Sequence, residues 1–177
     1  MRAVLDTNVI FVANGAHQEA SDACLEKCIA VLSEIKSTGT VVIDDQYLCL
    51  QEYQRRTNPR SRKGVGDVFL KWLLQNQANR AKVEQISVTP TADNKFDEFP
   101  DKALQDRFDP SDRKFVAVAA AAPTRVPIVQ AVDCKWLDWW PALKSCGVEV
   151  AFVCSDDICR FYEKKFPGKP PPTLPVS

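Results

Sequence analysis

The chain has 177 residues, and its 23 basic and 23 acidic residues give a formal net charge of zero at pH 7. A neutral chain has no overall field that attracts nucleic acid or an anionic membrane, so any such contact must come from a local basic patch. No apolar run approaches the roughly 18 residues that a membrane span needs, and the first residues lack the pattern of a signal peptide. We therefore expect a cytoplasmic protein with no membrane contact.

In chain order, the residue pattern predicts alternating elements through the first half of the chain: a strand over 3–6, a helix over 19–39, a strand over 40–44, a helix over 45–56, a basic loop over 57–66 and a helix over 67–80. Gly39 stands where a helix C-terminal glycine belongs. Asp45 is the expected N-cap of the helix over 45–56.

The second half continues the alternation: an edge strand over 82–88, an irregular polar segment over 89–107 with a short helix near 101–106, a buried helix over 109–122, a strand over 126–133, a helix over 135–147, a strand over 148–153 and a helix over 155–166. Asp109 is the expected N-cap of the buried helix, with Asp112 in its first turn. Ser155 is the expected cap of the last helix.

This alternation predicts an α/β fold, a three-layer α/β/α arrangement with a central parallel sheet. We expect a single domain over 1–166. Residues 167–177 then form an extended, Pro-rich tail outside the core.

Seven cysteines at irregular spacings favour free thiols in a reducing cytoplasm over a disulfide framework. Cys24 and Cys28 are four residues apart on a predicted helix, and core packing is the favoured interpretation for this pair. Cys154 and Cys159 lack a second pair, and His17 is the single histidine of the chain, so a zinc site is disfavoured.

Four acidic residues fall at related places in this plan. Asp6 and Asp133 end predicted strands, where sites form in an open parallel sheet. Glu52 lies in the helix after the second strand, and Asp112 lies at the start of the buried helix. Each acid alone is explained by a strand end, a solvated helix face or the helix dipole. Together they would repel one another without a cation, and oxygen ligands suit Mg²⁺ or Mn²⁺, ions that promote phosphodiester hydrolysis.

The segments that carry these acids resemble the PIN-domain ribonucleases, and they occur in the family's order: "LDTNVI", "DQYLCLQEY", "SDRKFVAVAAA" and "IVQAVDCKW". The resemblance covers about residues 2–154. It implies a PIN-like fold and a Mg²⁺- or Mn²⁺-dependent endoribonuclease, of the kind found as toxins in toxin–antitoxin pairs. It further implies RNA as the substrate, an inhibitory antitoxin as a partner, and a homodimer.

Carried over residue by residue, the resemblance makes Asp6, Glu52, Asp112 and Asp133 the catalytic and metal-binding acids. Asn8, with Thr7 beside it, matches the polar residue that supports the first acid. The family often has Ser or Thr where this chain has Ala131, and an acid where it has Lys135. Asp109 or Asp138 is a candidate to compensate for the missing acid.

Basic residues beside the acids are candidates for substrate binding: Arg55, Arg56, Arg60, Arg62, Lys63 and Arg113. A basic run beside an acidic site is one way for a neutral protein to hold a phosphate backbone, and a solvated loop is the equal alternative. Lys114 also flanks Asp112 and either contacts phosphate or faces water. The tryptophans at 136, 139 and 140 favour core packing or a protein interface over base stacking.

Two other functions remain open. A PIN-like module that binds RNA or protein without catalysis is favoured by Ala131 and Lys135. A phosphoacceptor domain of similar topology is suggested by the paired acids Asp44 and Asp45, although the chain lacks a convincing Thr or Ser before a strand-end Lys.

Overall fold

A computed structural model describes residues 1–58, 60–61 and 63–175. Its strands are β1 (Arg2–Leu5), β2 (Thr40–Asp44), β3 (Val83–Ile86), β4 (Pro90–Thr91), β5 (Lys95–Phe96), β6 (Ile128–Gln130) and β7 (Val150–Phe152). Its helices are α1 (Thr7–Ala13), α2 (Asp22–Thr38), α3 (Leu48–Arg56), α4 (Val65–Asn76), α5 (Lys102–Arg107), α6 (Arg113–Ala121), α7 (Trp136–Ser145) and α8 (Ser155–Lys165).

Five strands form one sheet in the order β3-β2-β1-β6-β7, and every neighbouring pair is parallel. β1 is the central strand, and its residues Ala3, Val4 and Leu5 have no solvent exposure. A strand that is apolar on both faces needs cover on both sides, which explains its continuous run of apolar residues.

Helices provide that cover. α1, α2 and α4 contact one another, whereas α6 packs on β1, β2 and β6 and contacts α3. α6 is buried almost throughout, as its sequence predicts for a helix that is apolar nearly all round. The predicted α/β class with a central parallel sheet is confirmed, and the helix packing is compatible with three layers.

Four local predictions are wrong. Ser155 is the first residue of α8 and follows the N-cap residue Cys154, so it does not cap that helix. The sequence pattern missed α1, which begins directly after Asp6 because that side chain caps it. The N-terminus of α3 is capped by Asp44, whose carboxylate accepts the N–H groups of Leu48 and Cys49, and not by Asp45. The segment over 89–107 contains the short antiparallel pair of β4 and β5 in addition to the predicted helix α5.

The cysteines also differ from expectation. A disulfide joins Cys24 on α2 to Cys154 at the start of α8, so the prediction of free thiols is wrong for these two residues. An odd count at irregular spacing did not reveal the pair because 130 residues separate its members. The buried position predicted for Cys24 and Cys28 is confirmed.

None of the helices in the described part of the chain is long and apolar enough to span a membrane. Beyond α8, the described residues of the Pro-rich segment form no helix or strand up to residue 175. Leu174 in this segment packs against a small apolar cluster that includes Leu137, Ile158 and Tyr162.

Candidate metal centre

A polar cavity of about 310 Å³ lies at the carboxyl ends of β1 and β6. Five acidic side chains line it together with one arginine and the single histidine. Its lining residues are Asp6, Thr7, Asn8, Phe11, His17, Glu52, Arg56, Asp109, Ser111, Asp112, Val132 and Asp133. The cavity therefore brings together the four acids that the resemblance selected, and it adds Asp109.

Asp6 is held at the junction of β1 and α1. Its backbone N–H donates to the carbonyl of Val129 on the neighbouring strand at 2.9 Å, which extends the sheet pairing to this residue. Its carboxylate accepts the backbone N–H of Asn8 at 2.8 Å and so caps α1. Only 1% of Asp6 is exposed. One oxygen thus has a structural role, and the support expected from Asn8 comes from its main chain.

Asp112 stands at the N-cap of α6, the position predicted for Asp109. Its carboxylate does not cap the helix and instead accepts two side-chain donors. The Ser111 hydroxyl donates to Oδ1 at 3.1 Å, and the Trp136 indole N–H donates to Oδ2 at 3.3 Å. These donors fix the carboxylate toward the cavity.

Asp133 follows β6 by three residues, and two backbone contacts fix the turn that carries it. Its N–H donates to the Gln130 side chain at 3.3 Å, and its Oδ1 accepts the N–H of Lys135 at 3.1 Å. Oxygen atoms of Asp109, Asp112 and Asp133 all lie within 4.8 Å of one another. Asp109 also forms an ion pair with the Lys135 ammonium group.

Glu52 projects from α3 and makes two contacts. The Thr7 hydroxyl donates to its Oε1 at 3.1 Å, and the Lys114 ammonium group forms an ion pair with its Oε2. Lys114 is only 8% exposed, and its ammonium group is paired with Glu52 and does not face water freely. It is the internal counter-ion of Glu52.

Burial raises the pKa values of Asp6, Asp112 and Asp133. The pKa of Asp6 is raised well above its usual value, first by burial and then by the charge of Asp112. Burial, then the charges of Asp133 and Asp109, raise the pKa of Asp112 to about 7. Burial also raises the pKa of Asp133, and Lys135 opposes that rise. These acids repel one another when charged, so a bound cation would favour their ionised forms.

The donor set fits a hard divalent cation. Carboxylate oxygens that converge within one cavity are the ligands that Mg²⁺ and Mn²⁺ prefer, whereas the cavity offers no thiol among its lining residues. Asp109, Asp112 and Asp133 supply the tightest group, and Asp6 lines the same cavity.

The predicted substrate-binding residues have different positions. Arg56 is exposed and lines the cavity. Arg55 lines a neighbouring depression, which Glu52 and Lys114 also line. Arg60 and Lys63 are exposed on the loop after α3, and Arg62 lies outside the described residues.

The prediction that Arg113 contacts substrate is wrong. Arg113 is 5% exposed, and its guanidinium donates to the carbonyls of Phe108 at 3.2 Å and Asp93 at 2.8 Å. It stabilises the segment before α6, and its charge is satisfied inside the protein.

Sequence reasoning missed the contact of Lys114 with Glu52 and that of Trp136 with Asp112. A lysine inside a helix that is otherwise apolar is a usable signal, because a buried ammonium group needs an acidic partner. The contact of Trp136 with Asp112 carries no such signal, since its indole is also fully buried in the core, as predicted. Asp44, the proposed phosphoacceptor, is fully buried and caps α3, so its carboxylate is inaccessible.

Comparison of the chain with protein-family models, with curated proteins and with solved structures finds no match.

Proposed function

We propose that this protein is a Mg²⁺- or Mn²⁺-dependent endoribonuclease that hydrolyses phosphodiester bonds in RNA. The observation that carries the proposal is the convergence of Asp109, Asp112 and Asp133 in a cavity shared with Asp6 and Glu52. The choice of RNA rests on the resemblance of the acid-bearing segments to PIN-domain ribonucleases.

The metal would be held by Asp112 and Asp133, with Asp109 and Asp6 beside them. A bound Mg²⁺ or Mn²⁺ supplies charge neutralisation at the phosphoryl oxygens and lowers the pKa of water. Asp109 takes the place of the acid that the family often has where this chain has Lys135, and Lys135 holds Asp109 by an ion pair.

The protein's own residues orient these groups. Ser111 and Trp136 fix the Asp112 carboxylate, and the turn after β6 fixes Asp133. Asp6 has one oxygen on the Asn8 N–H, and its second oxygen can accept a proton from an attacking water. Glu52 also lines the cavity, and its carboxylate is held by contacts with Lys114 and Thr7.

Arg56 is the cation best placed to bind substrate, since it is exposed at the cavity that holds the acids. Arg55 in the last turn of α3, with Arg60 and Lys63 after the helix, extends the positive charge along the chain and suits a flexible polyanion.

A second candidate is a PIN-like module that binds RNA without cleaving it. The ion pairs of Lys114 with Glu52 and of Lys135 with Asp109 favour this candidate, because internal ammonium groups already neutralise two of the five acids. In both candidate functions RNA binds at the surface around Arg56. The two functions differ in whether a divalent cation binds.

The experiment is an incubation of the purified protein with labelled single-stranded RNA and DNA in Mn²⁺, Mg²⁺ or EDTA. Asp6→Asn is the test variant, and Asp97→Asn, an exposed acid outside the cavity, is the matched control. We expect RNA cleavage only with metal, with loss in Asp6→Asn and retention in Asp97→Asn. RNA binding without cleavage in any metal would favour the second candidate. Membership of a toxin–antitoxin pair, an inhibitor protein and a homodimer remain predictions from the resemblance.

A further inference from the structure

Three cysteine sulfurs meet on the side of the fold formed by α2 and α8. Cys24 and Cys28 lie one turn apart on α2, and Cys154 follows β7. Cys24 is bonded to Cys154, and the Sγ atom of Cys28 lies 3.8 Å from the Sγ atom of Cys154. All three residues are at most 2% exposed.

We propose that these residues form a thiol–disulfide exchange centre in which Cys154 pairs with either Cys24 or Cys28. Cys28 loses its proton, and the resulting thiolate attacks the Cys154 sulfur. The bond from Cys154 to Cys24 breaks, and Cys24 leaves with the electron pair and takes up a proton. One disulfide is exchanged for another, so the step consumes no oxidant or reductant.

Burial explains why the pairing with Cys24 persists. It raises the pKa of the Cys28 thiol to about 12, so this thiol stays protonated and unreactive while the region is closed. Exchange therefore requires local opening where α2 and α8 meet, and it is slow in the closed state.

The exchange would move a boundary of the acidic cavity. Asp157 at the start of α8 accepts the backbone N–H of Ser21 at 2.7 Å, and Arg160 donates to the carbonyl of Glu19 at 2.7 Å. These contacts fix the segment before α2, which carries His17. The His17 ring lines the cavity, and its centroid lies 5.3 Å from the ring centroid of Phe161 on α8.

Pairing with Cys28 moves the bond of Cys154 one turn along α2, away from Ser21. The two sulfurs lie 3.8 Å apart and a disulfide needs about 2 Å, so the approach of Cys154 to Cys28 strains the contacts between α8 and the segment before α2. We therefore expect the Cys28 pairing to displace His17 and Phe161 and to reshape the cavity. This effect on cleavage rests on the proposed function, whereas the exchange itself does not.

Disulfide mapping tests the exchange. The full chain is oxidised with oxidised glutathione, denatured at mildly acidic pH with excess N-ethylmaleimide to alkylate the free thiols, digested without reduction and analysed by mass spectrometry. Cys24→Ser should contain a Cys28–Cys154 disulfide, and Cys28→Ser should contain only the Cys24–Cys154 disulfide. Cys146→Ser is the matched control, because Cys146 is an exposed free cysteine. A folded Cys24→Ser protein with both Cys28 and Cys154 alkylated would overturn the proposal.

The wild-type chain provides a second arm that does not depend on a variant's folding. Incubation with a catalytic amount of reduced glutathione should produce a measurable fraction of Cys28–Cys154 beside Cys24–Cys154. If only Cys24–Cys154 is found after prolonged incubation, the exchange does not occur.

RNA cleavage by the variants tests the regulatory effect. We expect Cys28→Ser to cleave at the wild-type rate and oxidised Cys24→Ser to cleave about tenfold more slowly, because the cavity wall is displaced. Equal rates would overturn the regulatory effect. If no form of the protein cleaves RNA, the proposed function fails, while the mapping result still decides whether exchange occurs.

Discussion

The indole N–H of Trp136 donates to the Oδ2 atom of Asp112 across 3.3 Å, and both side chains are buried. Trp136 begins α7, directly after the turn that carries Asp133, whereas Asp112 occupies the N-cap position of α6. This hydrogen bond therefore links the two elements that hold Asp112 and Asp133. It orients Asp112 toward the cavity while the tryptophan ring packs against Phe108 in the core.

Trp136→Phe tests this link. The substitution removes the donor and leaves a small cavity, so we expect a loss of about 1–2 kcal/mol in the free energy of unfolding. Because Asp112 loses its orienting donor, Mn²⁺ affinity should fall about tenfold. Chemical denaturation and isothermal titration calorimetry measure the two effects. Trp139→Phe is the control, since Trp139 also packs against Phe108. An equal fall in Mn²⁺ affinity for both variants would contradict an orienting role.

The raised pKa of Asp112 predicts how the stability of the metal-free protein depends on pH. The folded-state pKa of about 7 lies above the usual aspartate value of 3.8, so the folded chain binds more protons than the unfolded chain between these values. Stability should therefore fall as pH rises from about 4 to 7 and level off above that, by at most about 4 kcal/mol for this group. Denaturation in EDTA across this pH range measures the slope.

Asp112→Asn provides the matched comparison for that slope. The amide oxygen can still accept the Trp136 N–H, but the side chain no longer titrates. We expect the variant to be more stable than the wild type at pH 8 in EDTA and to have a flatter pH dependence. A variant that is less stable at pH 8 would show that the charged carboxylate is stabilising in the absence of metal.

The ion pair of Lys114 with Glu52 predicts strong coupling between the two residues. Lys114→Met leaves the largely buried Glu52 carboxylate without its counter-ion, and we expect a loss of about 3 kcal/mol in stability. The double variant Lys114→Met/Glu52→Gln should recover most of that loss, because neither charge remains. A double-mutant cycle by chemical denaturation measures the coupling, and additive losses would show that the two residues do not interact.

Arg56 is predicted to contact the RNA backbone. Arg56→Ala should weaken binding of single-stranded RNA and reduce the salt dependence of log Kd by about 0.7, the value for one lost phosphate contact. Fluorescence anisotropy in EDTA at several salt concentrations measures this slope without cleavage. Arg80→Ala is the control, because Arg80 is exposed near β3 and lines a different depression. Equal slopes for Arg56→Ala and the wild type would show that Arg56 does not contact the RNA backbone.

Much of the sheet could be predicted because its strands are short apolar runs with clear ends. The periodicity placed all five strands of the parallel sheet, and the ends of β1 and β6 led to Asp6 and Asp133. Helix starts were less predictable, because several polar residues compete at each one. Asp44 rather than Asp45 caps α3, and Asp112 rather than Asp109 occupies the N-cap of α6.

The site could be predicted only as a set of acids, without their partners. Lys114 pairs with Glu52 across 62 residues, and Trp136 reaches Asp112 from a separate helix. Such contacts depend on tertiary packing, which periodicity and spacing do not encode. The same limit applies to Cys24 and Cys154, whose pairing depends on how α2 meets the end of β7.

The most direct test of the metal-dependent nuclease is the rate of single-stranded RNA cleavage as a function of Mn²⁺ concentration, for the wild type, Asp112→Asn and Asp97→Asn. We expect a rate that rises and saturates with Mn²⁺ for the wild type and Asp97→Asn, and no cleavage above background for Asp112→Asn. Cleavage that is independent of Mn²⁺, or that survives unchanged in Asp112→Asn, would contradict this expectation.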